Sequence, residues 1–215
     1  MISADHLQTV ALLVAVGALP VLVVMLTPFT KISIVLMLLR NALGLQQVPG
    51  NLTISVVALA ASMVVMAPVI NHAFRTLDYP DRLANGAPPP SLNEMREAFQ
   101  APLVEFISAH APNKEVAFVR AAIVRHDPDS DASDDDLMVL VPAFVMAEIS
   151  AGIRIGVVLY VALLVVDLVV ANILMALGMV MLSPSTLATP LKLLILVLSD
   201  GLSRLMHSLI LGYVT

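Results

Sequence analysis

The sequence contains no cysteine, which removes disulfide bonds, thiolate catalysis and cysteine-type metal sites together. Charged residues are also scarce, at 13% of the chain, whereas about a quarter of residues are charged in ordinary soluble domains. The net charge is -5, and no stretch interleaves basic with aromatic residues, so a nucleic-acid groove is excluded. A Walker loop, a hydrolase elbow and HExxH spacing are all missing. The sequence therefore predicts no enzyme, no metal site and no cofactor.

What dominates instead is apolar sequence. Hydrophobic residues make up 59% of the 215 residues, and the mean hydropathy is +0.95. Such a composition is typical of a membrane or membrane-complex protein. The sequence predicts an all-α fold of kinked helical hairpins with about four hydrophobic spans. We divide it into an N-terminal hydrophobic hairpin (1–75), an acidic water-facing helical insert (76–136) and C-terminal hydrophobic helices (137–215).

The N-terminal hairpin is predicted from two apolar runs. Residues 7–26 carry no charge and indicate an uncleaved helix, bent at Pro20, interrupted at Thr27-Pro28 and continuing to Gly44. A second span covers 52–74. The polar turn between the two runs contains Gln46 and Gln47.

The insert differs sharply from the rest of the chain. It holds five basic and twelve acidic residues, a net charge of -7. Ser91 with Glu94 three residues on has the spacing of a capping box, and a second short helix is predicted from Asn113 to Val124. Lys31 and Arg40 flank the best cytoplasmic candidate among the turns, so the positive-inside rule places the acidic insert on the periplasmic side.

The stretch from Val166 to Gly201 reads as a broken span. Twenty-four uncharged residues separate Asp167 from Lys192, but glycine, serine and proline interrupt them. We predict a helix to about Met181, a bent loop, and a second helix from about Pro190. Three methionines lie at the bend: Met175, Met179 and Met181. Non-helical backbone at membrane depth must be buried in protein or line a cavity, so the bend is predicted to face something other than lipid.

Ionisable residues within the apolar helices point to an assembly. Four of them together would cost about 10 to 14 kcal/mol if left facing lipid; they are Glu148, Arg154, Asp167 and Lys192. Short hairpins offer few internal partners, which predicts a subunit of a larger complex. Lys31, Arg40, Gln46, Gln47 and the helix-spaced pair Asp200 and Arg204 are added to this set of assembly residues. Gly152 and Gly156 form a GxxxG pair suited to close helix packing.

Three segments resemble a known family. TPFTKISIVLMLLRNALGLQQVPGN (27–51), LVPAFVMAEI (140–149) and the stretch 166–201 are similar to the SctR/FliP family, the export-gate subunit of bacterial type III secretion and of the flagellar export apparatus. The resemblance covers roughly 27–71 and 137–212, and the insert is only loosely comparable. Flagellar members resemble preproteins with a cleavable signal, and this sequence shows none. Leu202 stands where the family commonly has tryptophan, and Pro49-Gly50 replaces its usual double proline, so we favour a virulence or symbiosis system.

The resemblance implies a specific function. In that family several copies, five by the usual description, coil with two companion subunits of the S and T types into a closed helical pore complex of the bacterial inner membrane. Much of the apolar sequence there packs against neighbouring subunits in a dome raised above the bilayer. Unfolded proteins pass through this pore. The family's methionine-rich loop forms a constriction, and it maps here onto Met179, Val180 and Met181. Methionine rings suit such a gate because they are flexible and polarisable, and close by dewetting.

Three other interpretations remain open from the residues. One is a flagellar homologue. Another is a small ion-coupled transporter that uses Asp167 and Lys192 at the broken helix, although the two halves show no clear inverted repeat. The last, an intramembrane enzyme, lacks a recognisable catalytic pair.

Overall fold

A computed structural model describes residues 13, 17, 18, 20–179 and 181–214, which form α-helices and no strand. The helices are α1 (Pro20–Leu26), α2 (Phe29–Ala42), α3 (Asn51–Thr76), α4 (Tyr79–Ala84), α5 (Leu92–His110), α6 (Asn113–His126), α7 (Leu137–Ala176), α8 (Pro184–Leu198) and α9 (Gly201–Leu211). Half of the predicted span 7–26 lies outside the described residues, as does Val180. The all-α prediction is confirmed for the part of the chain that the structure describes.

The longest element is α7, a single helix of 40 residues. At 1.5 Å per residue it is about 60 Å long, twice the thickness of a hydrocarbon core. The apolar sequence before Val166 and the first part of the predicted broken span, as far as Ala176, are therefore one continuous helix. Asp167 is a charge but not a helix breaker, and the only proline of α7, Pro142, lies near its start. The Asp136 side chain caps that start by accepting a hydrogen bond from the Met138 N–H at 3.0 Å.

Two bends divide the shorter apolar helices. The chain turns by 85° between α1 and α2, at Thr27-Pro28 as predicted, and by 60° between α8 and α9. By length and composition α3 and α7 can each cross a membrane, and each bent pair could form one further span. The described residues thus contain two to four candidate spans, a range that includes the predicted four.

The core lies around α2 and α7. One cluster joins α2 to α3 and α9 through residues such as Ile32, Val35, Ile54 and Leu209. A second cluster joins the first turns of α7 to helices α5 and α6 of the insert, with Phe144 completely buried. The insert therefore does not stand apart, because its helices share a hydrophobic core with α7.

Two local sequence patterns in the insert correctly predict where its helices begin. Ser91 and Glu94 form the expected capping box, and α6 begins at Asn113 as predicted and ends at His126 rather than Val124. Arg82 pairs with Glu94 at 2.7 Å. Hydrogen bonds from Arg82 and Ser91 lower the pKa of the Glu94 carboxyl to about 2, so this cap stays ionised at every physiological pH.

Candidate functional site

The methionine loop, defined here as residues 177–183, connects α7 to α8. The helix before it ends at Ala176 and the next begins at Pro184, so the predicted boundaries at Met181 and Pro190 are wrong. Gly178 has φ +72°, a left-handed conformation that glycine adopts without strain, and it ends α7 early. The Met179 N–H then donates to the Leu174 carbonyl at 2.9 Å. Pro184 fits the first turn of α8, where a missing N–H costs nothing.

The described apolar side chains of this loop are uncovered. Met181 is 99% exposed, and Met179 and Leu182 are also exposed. Met175, the second-last residue of α7, is exposed as well. Val180 lies outside the described residues. A cluster of large apolar side chains this open marks a surface for contact with other protein or with an apolar ligand.

Lys192, on α8, connects three helices. Its ammonium donates to Asp167 Oδ2 at 2.6 Å and to the Ala42 carbonyl at 2.8 Å. Ala42 is the last residue of α2, where carbonyl groups lack a partner within the helix. Lys192 is 4% exposed, so this ion pair is shielded on the lysine side. The arrangement holds the end of α2 against α7 and α8.

Glu148 occupies a second buried polar cluster. Its Oε2 accepts a hydrogen bond from the Tyr213 hydroxyl, and its Oε1 lies 4.0 Å from the Lys31 ammonium. Lys31 also stands 4.2 Å from the centre of the Tyr213 ring, a cation–π contact. The His110 ring lies 5.1 Å from the same ring. Sequence reasoning missed Tyr213, whose only signal is an isolated tyrosine after the last apolar helix.

These contacts correct the prediction that the ionisable residues of the apolar helices find few partners within one chain. Glu148, Asp167 and Lys192 all find partners within the same chain, because α7 runs alongside α2, which carries Lys31, and also alongside α8. Their charge alone therefore does not require a second subunit. A case for assembly rests instead on the uncovered apolar surface and on charges that stay exposed.

The remaining predicted polar residues are at the surface or nearly so. Arg154 and Arg204 are exposed, and no carboxylate of the described residues lies within 4.0 Å of either. The predicted Asp200–Arg204 pair is wrong, because Asp200 has φ +51° and precedes α9 as its N-cap instead of lying on its face. Gln46 and Gln47 are exposed in the turn between α2 and α3.

Gly152 and Gly156 lie where α7 crosses α2. A Cβ atom at Gly152 would be 3.2 Å from the Lys31 carbonyl oxygen. A Cβ atom at Gly156 would be 2.9 Å from the Leu38 Cβ and closer still to its Cδ1. The GxxxG spacing thus allows α2 and α7 of one chain to approach closely.

Gly156→Val is expected to destabilise the protein by roughly 1 to 3 kcal/mol, because the added side chain forces α2 and α7 apart. This would lower the thermal midpoint, followed by helical circular dichroism in detergent, by several degrees. Leu38→Ala should restore part of the loss in the double variant, and Ala162→Val, at an exposed position of the same helix, is the control. An unchanged midpoint for Gly156→Val would contradict the packing argument.

The described residues define an all-α membrane protein. They contain two helices long enough to span a bilayer and two bent apolar helix pairs. They also contain an ion pair between helices with a buried lysine, and an exposed apolar loop. A comparison with family models places the match at residues 12–209, and the chain belongs to the FliP family.

Its curated relatives are similar over nearly their whole length. The hypersensitivity response secretion protein HrcR of Ralstonia nicotianae is 39% identical, with 99% of this chain and 100% of the relative covered. The Yop proteins translocation protein R of Yersinia pestis is 37% identical, covering 97% of each chain. The virulence protein YscR of Salmonella typhimurium is 36% identical, covering 91% of each. These relatives are named for hypersensitivity response secretion, for Yop protein translocation and for virulence.

Proposed function

We propose that this chain is a pore-forming export-gate subunit of a virulence-type type III secretion system, passing unfolded proteins across the bacterial inner membrane. Family membership and relatives named for secretion and translocation support the role. The chain's own work is structural, since it supplies pore wall and gate, and energy for export comes from elsewhere in the apparatus.

The observation that carries the proposal is the methionine loop. In one chain the side chains of Met179 and Met181 are exposed, and Met181 is almost fully exposed. The loop follows α7, a helix about 60 Å long. Several copies around one axis would bring these thioethers together into an apolar ring. Such a ring excludes water and ions at rest, yet its flexible side chains can yield to a passing polypeptide.

The partners follow from the same proposal. Other copies of this chain, five by the family resemblance, would assemble with companion subunits of the S and T types. The exposed apolar faces of α7 and α8 are available for those contacts, with Val158, Val161 and Leu194 among the uncovered side chains. The acidic insert would face the periplasm, where its net charge of -7 is solvated.

The transporter alternative receives no support from the geometry. Lys192 is buried and donates to both the Asp167 carboxylate and the last carbonyl of α2, so its ammonium is not available to a transported ion. The flagellar alternative is disfavoured by relatives that are named for virulence and for the hypersensitivity response.

Deleting the gene in its native bacterium tests the function. We expect type III substrates to disappear from the culture supernatant and to return when the wild-type gene is supplied. Swimming motility serves as the internal control, because a virulence-type subunit leaves it intact. Continued secretion, or loss of swimming with secretion unaffected, would overturn the proposal.

A further inference from the structure

The outer side of α6 carries an exposed aromatic side chain. The helix buries Val116 and Val119 against α5 and α7, whereas Phe118 is 60% exposed. At 3.6 residues per turn, Phe118 lies on one stripe with residues four before, three and four after, and seven after it. We call this stripe the α6 face; its other members, all exposed, are Lys114, Ala121, Ala122 and Arg125.

The α6 face combines an apolar centre with positive charge at both ends. Phe118 and the two alanines form the centre, and Lys114 and Arg125 lie on either side of it. No carboxylate of the described residues is within 4.0 Å of either cation. Arg120, on another side of the same helix, pairs instead with Asp134 at 3.3 Å.

A cleft on α5 has the opposite charge. Its volume is about 680 Å³, and its walls come from Glu97, Gln100, Ala101, Val104, Glu105 and Asp135. We call it the α5 cleft. Its three carboxylates have no described cation within 4.0 Å. At about 30 Å³ for each water-sized group, the seven carbon atoms of a phenylalanine side chain need roughly 200 Å³, so the cleft can admit one.

We propose that the α6 face of one copy of this chain docks into the α5 cleft of the next copy. The Phe118 ring would rest on Ala101 and Val104, and the cations at the two ends of the α6 face would meet the carboxylates of the cleft. This inference rests on the proposed function, which places several copies around one axis. Within one chain α5 and α6 both pack on the first turns of α7, and Phe118 stays exposed.

A second copy is the occupant that the charges favour, because each chain carries both complementary surfaces. The two surfaces are different and lie on different helices, so the contact is head-to-tail, the kind that closes into a ring. Opposite charges set the order in which neighbours meet. The aromatic ring is the anchor. An exposed ion pair contributes little by itself, so loss of Lys114 alone leaves assembly unchanged.

Cross-linking between two single-cysteine variants of the full-length chain tests the contact. Ala121→Cys lies on the α6 face and Ala101→Cys in the α5 cleft, and both leave Phe118 in place. The two variants carry different tags, are expressed together with the companion subunits and are treated with a short thiol-to-thiol reagent. The chain has no native cysteine. We expect about tenfold more cross-linked dimer from the mixture than from either variant alone.

Matched variants separate the anchor from the charges. Arg96→Cys, at an exposed position on another side of α5, replaces Ala101→Cys as the control and should give only the yield of the single variants. Phe118→Asp in the Ala121→Cys copy should lower the yield about fivefold or more. Lys114→Glu with Arg125→Glu should lower it as well. Glu97→Lys with Glu105→Lys in the other copy should restore the yield, because the charges are then exchanged.

Three results would overturn the proposal. Equal yields with Arg96→Cys and Ala101→Cys would show that the cleft is not the contact. Links within Ala121→Cys alone would show a symmetric contact between α6 faces, and links from Ala121→Cys mainly to a companion subunit would show a different occupant. The number of copies in the same purified particle separates this proposal from the proposed function: several copies without the expected link contradict only the docking, whereas a single copy contradicts the shared pore.

Discussion

Lys192→Ala is expected to reduce the amount of assembled complex about tenfold or more on native gels. The lysine is buried and bonds both Asp167 and the last carbonyl of α2, so its loss releases α8 from α2 and α7. Removing one partner of a buried ion pair costs roughly 3 to 5 kcal/mol. We expect the lower part of that range, because the Asp167 side chain is 37% exposed and can be hydrated when the lysine is gone. Even so, a protomer destabilised to this extent would assemble poorly.

Two further variants separate the charge from the packing. Lys192→Met combined with Asp167→Asn removes both charges and keeps most of the volume, so it should assemble better than Lys192→Ala. Lys114→Ala, at an exposed lysine of the insert, should assemble as the wild type. Intact Lys192→Ala complexes with reduced secretion would show instead that this lysine acts in transport and not in assembly.

Met181→Cys is expected to produce cross-links between copies of the chain. The protein has no native cysteine, so any link formed by a thiol reagent comes from the introduced position. Because Met181 is 99% exposed at the tip of the methionine loop, its thiol would be reachable and would lie near its equivalents in neighbouring copies. With a substrate stalled in the pore, we expect links to that substrate as well, and most copies of the chain should enter cross-linked species.

Met138→Cys supplies the control for proximity. Met138 is also strongly exposed, but it lies at the other end of α7, about 60 Å from the loop if the helix is straight. It should not link to substrate in the gate. Equal substrate linking at both positions, or none at Met181, would contradict the gate assignment.

The elements that were predicted from sequence are those with local signals. The Ser91 capping box, the break at Thr27-Pro28 and the start of α6 each depend on residues within a few positions of one another, and all three are confirmed. Gly178 carries a local signal too, but it ends α7 instead of lying within a helix that continues to about Met181. Pro190, the predicted helix start, lies within α8, which begins at Pro184.

The buried contacts could not be predicted because their partners are far apart in sequence. Lys192 and Asp167 are 25 residues apart, and Glu148 and Tyr213 are 65 apart. Predicting these pairs requires the path of α7, a helix of 40 residues. In the sequence this helix looks like two apolar runs, because Asp167 separates them. Sequence reasoning identified which charges must be satisfied, but it assigned their partners to other subunits when several lie in the same chain.

The mass of the detergent-extracted particle, measured with and without the companion subunits, tests the central claim most directly. A pore shared by several protomers predicts a particle that contains several copies of this chain, five by the family resemblance, and that gains mass when the companions are present. A particle that contains one copy under both conditions would contradict it.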